Sequence, residues 1–312
     1  MIKSTLMGLA GVLLVGGMAA AAEPDSCKTV RFSDVGWTDI TATTGLASVV
    51  LQGLGYETRA DILSVPVTYQ SLKNGDIDVF LGNWMPTMEA DVAPFREDGS
   101  VEVVRANLEG AKYTLAVPKY LADQGLKDFA DIAKFKDQLD GQIHGIEPGN
   151  DGNRLIQKMI DDGQFGLTGF ELVESSEQGM LAEVARAARG QGAIVFLGWE
   201  PHPMNTNFEL VYLTGGDEVF GPNFGGATIY TNVRKGYLQE CPNVGKFLQN
   251  LEFTLPMESM IMGGILDDGK EAEEAATDWL KANPGVLDVW LAGVTTVDGG
   301  DALAAVKAKL GS

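Results

Sequence analysis

From Lys28 onward the chain alternates short apolar runs, bounded by turn residues, with stretches whose apolar positions recur at helical spacing. Thr29-Val-Arg-Phe-Ser-Asp-Val35 predicts a strand, and Gly36-Trp-Thr-Asp39 a loop. A helix of about fifteen residues follows, through Ala47-Ser-Val-Val-Leu51, until Gly53 and Gly55 stop it. Tyr56 to Leu63 reads as the next strand, Thr68 to Lys73 as a short helix, and Ile77-Asp-Val-Phe-Leu81 as a third strand. This βαβ alternation favours a mostly parallel α/β sheet, which binds ligands outside the carboxyl ends of its strands.

A second unit begins near Gly110. Lys112 to Val117 and Gln142 to Glu147 predict strands, and the latter passes through Pro148-Gly-Asn-Asp151 into a helix carrying Leu155, Ile156, Met159 and Ile160. Ala193-Ile-Val-Phe-Leu197 is the last strand of this unit, Phe208 to Leu213 resumes the strand pattern, and the tail from Val244 is helical. Two α/β lobes result, the first discontinuous: residues 23–110 and 206–312 form lobe one, and 111–205 lobe two. One internal echo links them. Asp78-Val-Phe-Leu-Gly-Asn-Trp-Met-Pro86 and Ala193-Ile-Val-Phe-Leu-Gly-Trp-Glu-Pro201 share an apolar strand, Leu-Gly, a tryptophan and then proline. Two lobes presenting an indole from equivalent strand ends would face each other across a cleft.

The ends and the charge narrow the class of protein. Lys3, an apolar run from Leu6 to Met18 and the small residues Ala19 to Ala22 have the layout of a secretory signal peptide, 1–22, cleaved after Ala22. The run is shorter than the roughly 20 apolar residues a membrane span needs. The expectation is therefore a soluble, periplasmic chain of about 290 residues, a size at which cores split in two. The formal charge of −20 argues against nucleic-acid and anionic-membrane partners and favours a cation. Cys27 and Cys241 are the only cysteines. In an oxidising compartment they read first as a disulfide, with metal binding the weaker alternative. A bridge would tie the start of the mature chain to its last quarter.

Of five tryptophans, Trp279 and Trp290 lie in amphipathic helical context and read as packing. Trp37, Trp84 and Trp199 each follow a strand at the edge where α/β sheets place ligands. Singly, each would be a packed residue; together they suggest the walls of a cage, with Tyr113 as a fourth. Converging ring faces suit a cation that cannot donate hydrogen bonds, such as a trimethylammonium group. Stacking on a sugar is the competing use. Asp39 and Asn150 are first of all helix-start and turn residues. Facing the cleft, Asp39 would accept a hydrogen bond from a ligand hydroxyl and repel a ligand carboxylate. Neither cleft loop carries a carboxylate clamp, Arg154 being the possible exception. Choline therefore fits better than glycine betaine.

The segments Asp34-Val-Gly-Trp-Thr-Asp39, Gly75 to Pro86, Gly149-Asn-Asp-Gly152 and Phe196-Leu-Gly-Trp-Glu-Pro-His202 make the whole mature chain resemble periplasmic choline-binding proteins of the glycine betaine/choline ABC-importer family. The resemblance implies a two-lobed periplasmic-binding-protein fold (type II, with two crossovers), each lobe a mainly parallel sheet flanked by helices. It also implies a cage at Trp37, Trp84, Tyr113 and Trp199, hydroxyl partners at Asp39 and Asn150, a Cys27–Cys241 disulfide, and a membrane permease as partner. No cofactor or metal is called for, and a monomer is expected. An enzyme, such as a hydrolase of choline esters, is the rival reading. The chain lacks a Gly-x-Ser-x-Gly elbow, a complete Gly-x-x-x-x-Gly-Lys-Ser/Thr phosphate loop and a His-Glu-x-x-His pair. His202 and Glu200 are its only acid–base candidates.

Overall fold

The computed structural model describes residues 23–311; the expected signal peptide lies outside the described residues. Nine strands form one curled sheet: β1 (Thr29–Asp34), β2 (Glu57–Ile62), β3 (Val79–Met85), β4 (Val101–Pro118), β5 (Gln142–His144), β6 (Glu171–Val173), β7 (Phe196–Glu200), β8 (Leu210–Tyr212) and β9 (Gly226–Arg234). Their order is β2-β1-β3-β9-β4-β7-β5-β6, with β8 also on β4. Parallel pairing is confined to the outer groups, where β1 joins β2 and β3, and β5 joins β6 and β7. β4 and β9 are antiparallel to their neighbours.

The two lobes meet along β4. Its first part, from Val101 to Lys112, pairs with β9, and its last part, from Lys112 to Pro118, pairs with β7 and β8. One continuous strand thereby carries the chain from lobe one into lobe two. This strand is 18 residues long, and the sequence reading caught only its end. Its first half carries polar residues at half-exposed positions, so no apolar run marks it. β8 pairs with Ala116–Pro118, and Asp128 bridges to Thr214. The next strand, β9, pairs with β3 and β4.

Helix Thr38–Gly53 matches the expected start and stop. It is buried over most of its surface because helices Leu255–Leu266 and Ala272–Ala282 cover the side turned away from the sheet. Trp290 is buried as packing, stacked edge-on to Phe253 at 6.1 Å. Among the described residues no helix is long and apolar enough to cross a membrane.

Cys27 and Cys241 form a disulfide across 214 positions, which displaces the metal alternative for the pair. Both sulfurs are buried against the same lobe. Closing so long a loop restricts the unfolded chain, so removing it typically costs about 2–5 kcal/mol. Cys27→Ser with Cys241→Ser should therefore lower the melting temperature by about 5 °C or more in a calorimetric scan, an effect of reductant on the parent chain but not on the variant.

Candidate functional site

The loop after β1 is set by Asp34, whose carboxylate accepts from the Gly36 N–H and the Thr41 hydroxyl, both at 2.7 Å. Gly36 turns there with φ +83°, a conformation that favours glycine. The turn delivers Trp37 to the N-cap of helix Thr38–Gly53 and Asp39 to its first turn. Trp84 and Trp199 differ from expectation in one respect. Each is the penultimate residue of its strand rather than a loop residue beyond it, because β3 and β7 continue past their Leu-Gly steps. In both, the proline two residues after the tryptophan follows a cis peptide bond. Tyr113 sits on β4 directly opposite Trp199 on β7, at the point where β4 exchanges β9 for β7.

These elements bring the six residues expected of the cage and its hydroxyl partners to one cavity. Trp37, Asp39, Trp84, Tyr113, Asn150 and Trp199 line it, together with Ile146 and Asp151, around about 260 Å³ of space. The rings stand as walls rather than as a stack. Trp84 and Tyr113 have centroids 5.9 Å apart at 58°, and Tyr113 and Trp199 are 6.5 Å apart at 77°. Phe220 backs Tyr113 edge-on at 6.0 Å. Tyr113 fits only because residue 152 is glycine: a Cβ there would lie 2.1 Å from the tyrosine hydroxyl.

Carboxylates hold the indoles from behind. The Trp84 Nε1–H donates to Asp39 Oδ2 at 3.1 Å, and the Trp37 Nε1–H donates to Glu147 Oε1 at 2.7 Å. Both anchors fix ring orientation, and each adds negative potential at the cavity wall when it is ionised. The Asn150 side chain serves as the N-cap of helix Asp151–Asp161, a role its residue type favours: Oδ1 accepts from the Asn153 N–H at 3.0 Å and from the Tyr113 hydroxyl at 2.9 Å. Its Nδ2 has only a long 3.4 Å contact with Asp151 Oδ1, so a donor remains for a guest. Asp39 Oδ1 and Asp151 Oδ2 are buried without any hydrogen-bond partner. The cavity thus offers aromatic faces, one spare amide donor, two spare carboxylate acceptors and no basic residue.

Crowded acids shift each other. Burial, then the nearby Glu177 carboxylate, pushes Asp39 up to about 8. Burial raises Glu147 to about 7 and Asp151 to about 6. Glu258, buried beside Asp39, is raised well above the usual carboxylate range by desolvation and by that neighbour. A set of acids this reluctant to ionise is one that a bound cation would relieve.

Arg154 is not a carboxylate clamp. Its guanidinium is bidentate to Asp91, 2.8 Å on each branch, and reaches the Thr87 carbonyl at 3.3 Å, joining the two lobes. Sequence reasoning missed Ile146, Asp151 and Glu147. Asp151 lay inside the Gly149–Gly152 motif, where its neighbour Asn150 absorbed the attention; Glu147 could not be paired with Trp37 across 110 positions without the fold. The Gly264-Ile-Leu-Asp-Asp-Gly-Lys270 run, which has phosphate-loop spacing without the following Ser or Thr, connects helix Leu255–Leu266 to helix Ala272–Ala282, with no strand leading into it. Among the described residues the only cluster with metal-ligand spacing is Cys27, Glu240 and Cys241, whose sulfurs are already bonded to each other.

A small aromatic and acidic cavity between two α/β lobes, which share a continuous strand and are cross-linked over the cleft, defines a solute-binding protein of the two-lobed periplasmic type. Residues 28–282 match the model of the substrate-binding domain of ABC-type glycine betaine transport systems, and the chain belongs to that family. It is 69% identical to an ABC-transporter choline-binding protein solved in complex with choline, with a TM-score of 0.91 over 92% of this chain and 100% of that one. The unliganded, semi-closed form of such a protein, also 69% identical and with the same coverage, superposes less well, at 0.85. The glycine betaine/carnitine transport binding protein GbuC of Listeria monocytogenes is 33% identical over 163 residues, 52% of this chain and 53% of GbuC.

Proposed function

We propose that this chain captures choline for an ABC importer, caging the trimethylammonium group with Trp37, Trp84, Tyr113 and Trp199 and reading its hydroxyl with Asp39 and Asn150. The observation that carries this reading is the pairing of convergent ring faces with an unpartnered Asp39 Oδ1 in one small cavity. The ammonium cannot donate hydrogen bonds, and ring faces satisfy its diffuse charge. The ligand hydroxyl donates to Asp39 Oδ1 and accepts from Asn150 Nδ2. Glycine betaine, the alternative, would bring a carboxylate to two acids with no arginine free to receive it, since Arg154 is engaged by Asp91. The choline complex of the 69% identical protein supports the same choice.

The reading includes a periplasmic, monomeric carrier that delivers choline to a membrane permease, with lobe one comprising 23–110 and the chain from Gly226, and lobe two residues 111–225. It is the reading of a carrier rather than an enzyme, and the engagement of the two acid–base candidates supports it. His202 does not line the cavity, and both of its ring nitrogens are engaged, by Glu177 and by the Met204 N–H. Glu200 is paired with Lys112 at 2.9 Å. Incubation with choline should yield neither aldehyde nor acid.

Titration calorimetry tests the assignment through pH. A fixed cation favours the ionised form of Asp39, Glu147 and Asp151, so binding lowers their pKa values and releases protons. Below the empty-site values the ligand must first expel those protons, and affinity falls; above them it levels off. Choline affinity should therefore rise from pH of about 6 to about 8, the span of the empty-site pKa values, by up to about tenfold per pH unit for each proton released. The apparent enthalpy should vary with the ionisation enthalpy of the buffer. A flat profile over this span would contradict the assignment.

A further inference from the structure

We propose that Glu177 is the closure latch of this protein: a positioning residue that touches no ligand, caps the first-lobe helix from the second lobe, and braces a cage wall through His202. The inference rests on the choline reading above for its assay but on separate residues for its geometry.

Helix Thr38–Gly53 begins without a side-chain cap of its own, because its N-cap residue is Trp37. The first N–H groups of a helix need acceptors. One is supplied from the opposite lobe: Glu177 Oε2 accepts from the Thr38 N–H at 2.8 Å, and Oε1 accepts from the Thr38 hydroxyl at 2.5 Å. Glu177 itself lies in the first turn of helix Glu177–Gly190, capped by Ser176. Its charge is therefore stabilised by the positive ends of two helices at once. The carboxylate is 1% exposed and Thr38 3%, so the contact is sealed from water. An open cleft would return both to solvent and leave the Thr38 N–H uncapped by protein.

The same carboxylate reaches the cage. His202 Nδ1 accepts from the Met204 N–H at 2.9 Å, which puts the ring hydrogen on Nε2, facing Glu177 Oε1 at 3.1 Å. The imidazole stands edge-on to Trp199 with centroids 4.9 Å apart. On the other lobe, Thr38 directly follows Trp37. Glu177 thus lies one residue from a wall on each side of the cleft while lining none of the cavity. The cross-lobe ion pair of Arg154 with Asp91 has an arginine that is 40% exposed, and exposed pairs contribute little. The Trp37–Glu147 bond also crosses the cleft, but Glu147 is less deeply buried than Glu177.

Glu177→Gln cannot restore the arrangement. With the amide oxygen toward the Thr38 N–H, the amide nitrogen meets the His202 Nε2–H; reversed, it meets the Thr38 N–H. Stopped-flow tryptophan fluorescence with choline separates the outcomes. We expect Glu177→Gln to speed choline dissociation at least about tenfold, with the association rate within about threefold, since a latch acts after encounter. Thr38→Val keeps the Glu177 charge and its His202 contact but removes one cross-lobe donor, and should shift the same rate in the same direction by a smaller factor. Single-molecule distance measurement between dyes on the two lobes should show a lower closed fraction at saturating choline for both variants. Unchanged dissociation in Thr38→Val, or association slowed as much as dissociation is speeded in Glu177→Gln, would overturn the latch and leave a structural or long-range charge role. Failure of the parent chain to bind choline would instead sink the choline reading.

Discussion

Trp199→Ala should weaken choline binding about thirtyfold, the loss of one desolvated cation–π contact of about 2 kcal/mol. The residue stands in β7 opposite Tyr113, with His202 behind it, so truncation also opens space in a packed wall. Deleting a buried indole side chain costs about 3–5 kcal/mol of stability, and the alanine variant alone would mix the two effects. Trp199→Leu separates them by keeping apolar volume while removing the ring. Calorimetric titration should show most of the affinity loss in both variants, with the melting temperature recovering substantially in the leucine form. If leucine binds choline as tightly as tryptophan does, the wall acts by exclusion of water and the cage assignment fails.

Asp39→Asn should weaken choline binding far more than glycine betaine binding. In the parent chain Asp39 Oδ2 accepts from the Trp84 indole and Oδ1 is left for the guest. The substitution removes a charge-assisted acceptor, a loss of about 1.5–3 kcal/mol, or roughly ten- to a hundredfold for choline. It also removes attraction for any ammonium, a loss common to choline and glycine betaine. For glycine betaine that common loss is offset by relief of carboxylate repulsion. Competition titrations of the two ligands should therefore show choline losing much more than betaine, together with a smaller rise of choline affinity between pH of about 6 and about 8. Equal losses for both ligands would place the ligand hydroxyl elsewhere.

The residues that build the walls were legible because each chemistry sits beside a local signal. Trp84 and Trp199 follow matched strand, Leu-Gly and proline patterns, and Trp37 precedes a helix start. Helix Thr38–Gly53 was equally plain, with a clear apolar run and glycines at its end. β9 and the first half of β4 were not, since their half-buried polar positions mimic loop. β8 is hard to place for a related reason: it is three residues long, and a strand so short does not announce which sheet edge it joins.

The strand-end tryptophans, the acidic balance and the lone cysteine pair depend on residue type and short-range order, which a linear reading captures, and together they determined the class of ligand and the two-lobed plan. What the tertiary structure alone decided is which groups are already spent. Arg154, the possible carboxylate clamp, has its fork held by Asp91, and His202 has its two ring nitrogens engaged by Glu177 and Met204. Asn150 proved to be a helix cap with one donor left over, and Asp39 a carboxylate with one oxygen left over. Hydrogen-bond capacity is exhausted by partners brought together across tens to hundreds of positions, and only the fold fixes those encounters.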